Sequence, residues 1–373
     1  MRVLVAPDKF RGTLTAPEAA RAIAAGWRRA RPGDQLVELP MSDGGEGTLE
    51  TLVDALGGSL LSARVAGPLG DPVEASFGMA EGPSGTIGVV EMARASGLAL
   101  VPRRDPLRAT TRGTGELIWA AVQAGARTVV VCIGGSATTD GGVGMAQGLG
   151  ARLLDARGEE VPPGGAGLLE LARIDLSSLD PAVRSARVVV ASDVDSPLTG
   201  RRGSAHVFGP QKGASAQEVQ LLDRALGHLA AVIDRDLGLD VRELPGAGAA
   251  GGLGAGLVAF LGARIRPGIE IVMEAVGFES RLGAADLVLT GEGRLDGTSL
   301  SGKVVGAVLA AARDLRKRAG VLCGEAAIQI DGAEVRSLVE RFGRERAFGQ
   351  ARLALVELAE ELSARSETIP SPP

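Results

Sequence analysis

The chain contains very few aromatic residues, histidines and cysteines. Of its 373 residues, 2% are aromatic and none is tyrosine, and there are two histidines and two cysteines. Two histidines cannot build a multi-histidine metal site, and two cysteines exclude a disulfide framework or a zinc-binding cysteine cluster. Because Cys132 and Cys323 each stand in an apolar, strand-like run, we expect both to be core residues in a reducing compartment. Catalysis must then use carboxylates, Lys, Arg, Ser, Thr and backbone amides.

The sequence also lacks an excess of positive charge and a long apolar segment. Lys and Arg number 40 against 45 Asp and Glu, a net charge of −5, which gives no electrostatic footprint for nucleic acid or an anionic membrane. No apolar run approaches the roughly 20 residues of a membrane span. The first residues, MRVLVAPDKF, reach a charged motif after one short strand, unlike a signal peptide. We therefore expect a cytoplasmic protein with no nucleic-acid and no membrane partner.

Glycine is abundant, with 55 residues, about twice the usual share of ~7%. Glycine at this level suits a fold with many tight turns between strands and helices. The length predicts about two domains. Strand and helix patterns alternate over most of the chain and predict parallel sheets, whereas short alternating stretches between residues 58 and 92 predict antiparallel strands. We expect the tail from about residue 363 to be disordered.

Five glycine-rich segments carry acids or bases, and nearly all directly follow a predicted strand. The carboxyl ends of strands are where α/β folds bind their ligands. The segments are APDKFRGT (6–13), PMSDGGEGT (40–48), TTRGTGELI with IGGSATTDGG (110–118 and 133–142), SDVDSPLTG with VFGPQKGA (192–200 and 207–214), and TGEGRLDGTSLSGK (290–303).

The first segment follows a predicted strand, and its charged residues could hold anions or a metal. The second places acids beside a predicted helix start. Free backbone amides there would suit a phosphate or a carboxylate, and the acids could hold Mg²⁺ or accept a hydroxyl proton. A structural alternative is a charged, capped loop, with Ser42 or Asp43 as the helix cap. The residues concerned are Asp8, Lys9 and Arg11 in the first segment, and Asp43, Gly44, Gly45 and Glu46 in the second.

The third segment consists of two Gly/Ser/Thr-rich loops, in which Asp140 is the only acid of the second loop. Backbone amides and the hydroxyls of Ser136 and Thr138 could cradle an anion there. Ordinary turn chemistry explains each loop nearly as well. Two such loops at neighbouring strand ends favour the binding interpretation.

The fourth segment has two acids and a lysine. Asp193 and Asp195 come directly after the apolar run VVVA and stand two positions apart. Both reach one metal only if the chain turns, which Pro197 favours. Lys212 stands near two glycines and could supply a point charge to a phosphate.

In the fifth segment, Glu292, Arg294 and Asp296 alternate in what we expect to be a glycine-rich turn that binds a charged ligand. Residues 297–303 fit the pattern GxxxxGK. However, Val304 stands where a P-loop needs Ser or Thr to hold Mg²⁺, so this match is a false positive.

A second misleading match is GxGxxG within PGAGAAGGLGAG (245–256). No convincing strand precedes it, and the acid that would bind a ribose does not follow. We expect a flexible glycine loop that caps a helix at Gly254 and lines a nucleotide site through Gly248 and Gly251.

Taken in order, these segments resemble those of the bacterial glycerate kinases, which phosphorylate D-glycerate with ATP. The resemblance extends from residue 1 to about residue 323. It implies a two-domain α/β enzyme with its active site in a cleft. On that pattern, a flavodoxin-like parallel-sheet domain (1–60 and 284–373) carries an inserted mixed α/β domain (61–283).

The resemblance implies transfer of the γ-phosphoryl group of ATP to a hydroxyl of D-glycerate, which gives phosphoglycerate and ADP, with Mg²⁺ as cofactor. Phosphoryl transfer needs positioning and charge neutralisation more than covalent chemistry. We expect Asp193 to accept the hydroxyl proton, Lys212 to face the transferred group and Arg294 to pair with the glycerate carboxylate. Asp43, Asp195 and Glu292 would surround the metal. The other predicted binding residues are Lys9, Arg11, Gly44, Gly45, Glu46, Ser136, Thr138, Gly248, Gly251, Asp296 and Lys303.

The chain departs from the family pattern at several positions, and these departures concern substrate fine-tuning more than activity. Arg11, Thr139, Ser192, Ser196 and Thr298 stand where the family usually has Lys, Asn, Cys, Asn and Gln. Two other function classes stay open, a nicotinamide-dependent dehydrogenase and a non-catalytic sensor of small hydroxy acids. Also open are the phosphorylated hydroxyl, the oligomeric state, with a homo-oligomer as one alternative, and the role of the chain after Glu325.

Overall fold

The computed structural model describes residues 1–10, 12–82, 85–300 and 302–370. The strands are β1 (Arg2–Val5), β2 (Gln35–Glu38), β3 (Ser59–Ala66), β4 (Pro72–Gly82), β5 (Gly85–Glu91), β6 (Thr128–Cys132), β7 (Arg152–Leu154), β8 (Arg173–Asp175), β9 (Arg187–Ala191), β10 (Arg264–Arg266), β11 (Leu287–Leu295), β12 (Arg318–Ala326) and β13 (Glu334–Ser337). The helices are α1 (Ala16–Ala30), α2 (Thr48–Leu56), α3 (Ala93–Ser96), α4 (Arg112–Gln123), α5 (Val143–Gly148), α6 (Pro181–Ser185), α7 (Ser204–Phe208), α8 (Ala216–Leu237), α9 (Ala249–Leu261), α10 (Gly268–Ala275), α11 (Phe278–Gly283), α12 (Val304–Asp314), α13 (Leu338–Phe342), α14 (Arg344–Gly349) and α15 (Ala351–Ala364). Helices in the described part of the chain are all too short or too polar to span a bilayer.

The first of two compact units is built from both ends of the chain. It comprises Met1–Asp43, Glu50–Gly57 and Ile269–Pro373. Its sheet has the strand order β13-β12-β11-β1-β2, with every neighbouring pair parallel. Counted within the unit, this order is 2-1-3-4-5, the flavodoxin-like arrangement. The predicted flavodoxin-like parallel sheet is therefore confirmed.

Two long helices cover one face of this sheet. Helix α1 begins at the predicted capping box, in which Thr15 and Glu18 satisfy each other's backbone N–H groups. Its apolar side, with Ile23 and Trp27 fully buried, packs against α15. The C-terminal segment thus supplies part of the core, and the disordered tail predicted from about residue 363 is wrong up to residue 370. Ser363 and Ile369 are buried because they close this helix pair.

The second unit comprises Gly44–Leu49 and Gly58–Gly268. Its six-stranded sheet has the order β10-β9-β6-β5-β4-β3, and β7 and β8 form a separate hairpin. Strands β3, β4 and β5 are antiparallel, as the alternating stretches predict, whereas β5, β6, β9 and β10 are parallel. The unit is a mixed α/β fold. Cys132 and, in the first unit, Cys323 are buried and form no disulfide, as predicted.

The boundaries between the two units differ from the predicted domain boundaries. Residues 269–283, predicted within the inserted domain, pack in the first unit. Residues 44–49, predicted within the flavodoxin-like domain, pack in the second. Helix α2 therefore starts in one unit and continues in the other.

Candidate active site

Three acidic side chains meet at the carboxyl ends of neighbouring strands in the first unit. Asp8 follows β1, Asp43 follows β2, and Glu292 lies in the second half of β11. The parallel pairing of these strands brings them together, since the N–H of Asp8 donates to the carbonyl of Gly291 at 2.8 Å. The chain order reverses between β1 and β11, and such a switch point is where open α/β sheets bind ligands. We refer to Asp8, Asp43 and Glu292 as the carboxylate cluster.

The negative charge of the carboxylate cluster is only partly compensated, by Lys9 at Asp8 and by Ser299 and Lys303 at Glu292. Asp8 is 7% exposed and accepts a hydrogen bond from the N–H of Lys9 at 2.7 Å. Burial, and then the charge of Asp43, raise the pKa of Asp8 to about 7. Burial also raises the pKa of Glu292. Its Oε1 atom is buried without a hydrogen-bond partner among the described residues, so a group outside the protein fits this oxygen.

Magnesium fits this donor set. Mg²⁺ prefers carboxylate oxygens and is usually held by one or two of them together with phosphate oxygens and water. The described residues include no group of three or more acidic, His or Cys side chains close enough to hold a metal unaided. The cluster thus suits a cation that arrives with phosphates better than a permanent, protein-caged metal. Asp195, the third predicted metal ligand, belongs to the second unit and is exposed.

The segment predicted as a glycine-rich turn at residues 290–296 is a strand instead. Strand β11 runs through it to Leu295, because Gly291 is required for close strand packing and not for a turn. A Cβ at Gly291 would lie 1.9 Å from the Leu322 carbonyl oxygen of the neighbouring strand. The period of two in a strand places Glu292 and Arg294 on one face of the sheet.

The side chains that follow Glu292 are more open to solvent. The Arg294 side chain is 66% exposed, and its Nε lies 3.8 Å from Oδ2 of Asp296. Asp296 accepts hydrogen bonds from the N–H and hydroxyl of Thr298, which lower its pKa. The Nζ of Lys303 donates to the same hydroxyl at 3.0 Å. The chain that follows Glu292 of the carboxylate cluster is therefore a charged segment, with Arg294, Asp296 and Lys303.

Two backbone amides at the start of α2 are bound by a buried side chain. The N–H groups of Gly47 and Leu49 donate to Oε1 of Glu91, at 2.9 and 3.0 Å. Glu91 is 3% exposed and also accepts from Nε of Arg94. A buried carboxylate of the same unit therefore already binds these two amides, whereas the binding residues predicted in this segment are Asp43, Gly44, Gly45 and Glu46. The sequence analysis missed Glu91, although an acid at the end of the apolar run IGVV was a signal.

A second buried acid, Asp140, organises the glycine-rich loops of the second unit. It is fully buried and accepts hydrogen bonds from the N–H of Thr111 at 2.7 Å, of Gly142 at 3.1 Å and of Gly144 at 3.2 Å. The hydroxyls of Thr110 and Thr111 also donate to it. Burial raises its pKa, and these hydrogen bonds oppose the shift. Asp140 therefore ties the starts of α4 and α5 together.

Lys212 is buried and faces the protein. Its Nζ donates to the carbonyl of Thr138 at 2.5 Å, and only 2% of the residue is exposed. Burial lowers its pKa to about 7, against the opposing effect of the Asp140 charge. This placement differs from the predicted role, in which Lys212 faces a transferred phosphoryl group. The hydroxyls of Thr138 and Thr139 are buried and form no hydrogen bond within the described protein.

The predicted acid pair lies at the end of β9. Asp193 is exposed, and its Oδ1 accepts the N–H of Gly268 at 3.0 Å. Asp195 is exposed two residues later. Asp193 thus anchors the first residue of α10.

The loop at residues 245–256, which the sequence predicts to be flexible, is tightly packed. Gly251 has a φ of +75°, and a Cβ there would lie 1.9 Å from the Thr138 carbonyl oxygen. A Cβ at Gly248 would lie 2.1 Å from the Pro197 carbonyl oxygen. Backbone packing alone therefore accounts for glycine at both positions.

The remaining predicted site residues are distributed over both units. Lys9 is half-buried in the first unit, and Ser136 is buried in the second. Gly44 is buried, Gly45 half-buried and Glu46 exposed, in the segment that precedes α2. Arg11 lies outside the described residues.

The fold and the carboxylate cluster define a two-unit α/β protein with an acidic ligand site at a topological switch point. The model of the glycerate kinase family matches residues 3–371. The chain is 52% identical over 315 residues to a glycerate kinase of Bacillus subtilis (strain 168), which covers 84% of this chain and 82% of the relative. It is 50% identical over 306 residues to a glycerate 2-kinase of Escherichia coli (strain K12), at 82% and 80% coverage.

Similarity in structure agrees with these relatives. A crystal structure from Salmonella typhimurium LT2, described as that of a candidate glycerate kinase 2, superposes with a TM-score of 0.89 at 43% sequence identity. The match covers 98% of each chain. The chain belongs to the glycerate kinase family.

Proposed function

We propose that this protein transfers the γ-phosphoryl group of ATP to a hydroxyl of D-glycerate and releases phosphoglycerate and ADP. Relatives named as glycerate kinases at 50–52% identity support the reaction. The observation that carries the proposal for this chain is the carboxylate cluster at the β1/β11 switch point. A buried, unpartnered carboxylate oxygen is costly unless a ligand uses it.

Within the cluster, we assign Asp43 and Glu292 to the cation that accompanies ATP. A cation held by these two carboxylates would neutralise the negative charge that builds up on the transferred group. Burial of Glu292 favours this role, because its Oε1 already lacks a protein donor. The exposed guanidinium of Arg294, on the same sheet face as Glu292, suits bidentate pairing with the carboxylate of glycerate.

In the second unit, we propose Asp193 as the group that accepts the hydroxyl proton of glycerate. It is exposed at a strand end, where open α/β folds present reactive side chains. Its hydrogen bond to Gly268 holds one oxygen and orients the other. Asp195 remains a second candidate ligand of the cation.

Lys212 is assigned a positioning role. Its ammonium group binds the Thr138 carbonyl and faces the charge of Asp140, so it fixes the loop that contains Thr138. The backbone and hydroxyls of this loop are then the groups that contact a phosphate, as the Gly/Ser/Thr composition predicts.

The reaction is tested by incubating purified protein with ATP, Mg²⁺ and D-glycerate and measuring ADP. ADP release is expected only when glycerate is present, and no oxidation of glycerate by a nicotinamide cofactor is expected. Release that is independent of glycerate, or faster with other short hydroxy acids, contradicts the assignment. Glu292→Gln provides the matched inactive control.

We propose that the 2-hydroxyl receives the phosphoryl group, on the support of the relative named glycerate 2-kinase at 50% identity. Proton-coupled phosphorus NMR of the product separates the two outcomes. Phosphorus on the 2-oxygen couples to one proton and gives a doublet, whereas on the 3-oxygen it couples to two and gives a triplet. A triplet overturns the regiochemistry and leaves the kinase assignment intact.

A further inference from the structure

One sheet edge of the second unit is long and open, and its first five residues are uncharged. Strand β3 is the last strand of the six-stranded sheet and pairs with β4 on its inner side only. Its first four residues are exposed, including Leu60 at 48% and Leu61 at 42%. Within the described chain, no strand pairs with its outer side.

The other sheet edges are protected in ways that β3 is not. Strands β2, β10 and β13 have only three or four residues, and each carries at least one charged side chain. Short, charged edges are the usual defence against pairing with another chain. Strand β3 has eight residues and neither charge nor proline in its first five, SLLSA.

The hydrogen-bond parity of β3 determines which of its residues face the open side. The N–H of Gly67 donates to the Asp71 carbonyl, across the hairpin, whereas the N–H of Ala66 points away and donates to Glu116. Successive residues of an antiparallel strand alternate in this way. Leu60, Ser62 and Arg64 therefore direct their N–H and C=O groups outward.

We infer that β3 pairs with β3 of a second copy of this chain, antiparallel and with a two-fold axis at Leu61. This register places Leu60 opposite Ser62 of the other copy, so the outward N–H and C=O groups of both residues meet their partners. Leu61 lies opposite Leu61 of the other copy, and Ser59 lies opposite Ala63 of the other copy. Arg64 falls opposite Gly58, so no like charges are opposed.

The lack of charge on this edge favours a second copy as the occupant. The outward backbone groups of a strand match those of its own copy under a two-fold axis, and because SLLSA is neutral, no charge opposes this contact. A single strand pair buries an area at the lower end of specific interfaces, below about 1,200 Å². We therefore expect a dimer that dissociates on dilution.

Cysteine cross-linking tests the register. Because the two native cysteines are at most 2% exposed, Leu61→Cys introduces the only accessible thiol among the described residues. Directly opposed Cα atoms in such a pair lie about 4.5 Å apart, within disulfide range. Leu61→Cys is expected to give a covalent dimer under mild oxidation. Leu60→Cys is expected to react much more slowly, since its two copies are about 7–8 Å apart on the diagonal.

Sedimentation or light scattering over a concentration series tests the dimer itself. The wild type is expected to shift from monomer to dimer, and Leu61→Lys and Leu60→Pro are expected to remain monomeric. Leu60→Pro removes only an outward N–H group, so the pairing with β4 is retained. The matched control Leu315→Lys alters a leucine that is equally exposed, at 42%, in the other unit and is expected to leave the dimer unchanged. A monomeric wild type up to its solubility limit, or a dimer that Leu61→Lys leaves intact, overturns the inference. Neither outcome depends on kinase activity.

Discussion

The two units each bury a carboxylate, but they treat it in opposite ways. Asp140 of the second unit is surrounded by N–H and hydroxyl donors and faces the ammonium group of Lys212. Asp8 and Glu292 of the first unit are buried next to further negative charge, and one oxygen of Glu292 has no partner in the described protein. A buried charge that the fold fully compensates stabilises structure. One that the fold compensates only partly favours a ligand and marks a functional site.

The largest effect is expected at the compensated acid. Asp140→Asn turns an acceptor into a donor amid existing donors and leaves Lys212 without its counter-charge. Leaving buried donors without their acceptor costs about 1–3 kcal/mol, and more where the acceptor is charged. Urea unfolding is expected to show a loss of this size. The double variant Asp140→Asn with Lys212→Met is expected to lose less than the sum of the two single variants, and strict additivity would contradict the coupling.

Glu292, the buried acid that the fold compensates only partly, is expected to matter for turnover and not for folding. Glu292→Gln keeps the shape of the side chain but removes the charge that we assign to the cation. Loss of one preorganised electrostatic group costs about 10²–10³ in kcat, and we expect a decrease of this order in ADP release. The melting temperature is expected to stay the same or to rise. A variant that loses activity only because it unfolds would place Glu292 with Asp140.

Asp193 provides an intermediate case, since it is exposed and makes one backbone hydrogen bond. Asp193→Asn is expected to reduce turnover by on the order of 10²-fold or more, because a general base contributes 10²–10⁴. Its folding should change little. Recovery of activity by excess Mg²⁺ would reassign Asp193 from base to metal ligand. Near-normal turnover at saturating Mg²⁺ would remove it from the site.

The smallest expected effect is an increase in the free energy of unfolding when Asp8 is replaced by Asn. Its folded pKa of about 7 lies above the ordinary value of 3.8, so the folded state binds more protons than the unfolded state between these values. Stability from this group is present at low pH and is lost as pH rises through about 7. Asp8→Asn removes this loss of stability at high pH, because the amide side chain does not ionise. We expect a gain of about 1–2 kcal/mol at pH 8, since the full shift corresponds to about 4 kcal/mol, and no gain near pH 4.

Asp296→Asn is the control for this pH dependence. Hydrogen bonds from Thr298 lower the pKa of Asp296, so its contribution to stability is present at neutral pH and is lost in acid. Its replacement is expected to give no gain at pH 8. Equal behaviour of the two variants would show that the Asp8 effect is not due to burial.

The sequence predicts the parallel sheets and the acids at their strand ends. It does not predict which buried acid is surrounded by donors from the protein. Strand and helix alternation and the motifs after β1, β2 and β9 predicted the parallel sheets and located Asp8, Asp43 and Asp193 at strand ends. Whether an acid in a glycine-rich loop points into the protein depends on contacts with residues far along the chain. Asp140 meets Thr111, 29 positions away, and Glu91 meets Gly47, 44 positions away. No local pattern encodes these contacts.

Glycine misled the sequence analysis for a related reason. Glycine serves both for turns and for close approach of two backbones, and the sequence alone does not separate these uses. Gly291 and Gly251 are both close-approach positions. The first was interpreted as a turn and the second as flexible. The packed C-terminal helix α15 was missed because nothing in its own pattern identifies α1 as its partner.

The pairing of β1 with β11 has a consequence for synthesis on the ribosome. Strand β1 emerges first, but its partner begins at Leu287, so the first unit cannot close its sheet until most of the chain has been made. Chains generally fold domain by domain as they emerge. The second unit, almost contiguous in sequence, can therefore fold first. Each unit contains one of the two tryptophans, Trp119 in the second and Trp27 in the first. Trp27 becomes buried against α15 only when the final helix is complete, so its fluorescence reports the last step of folding.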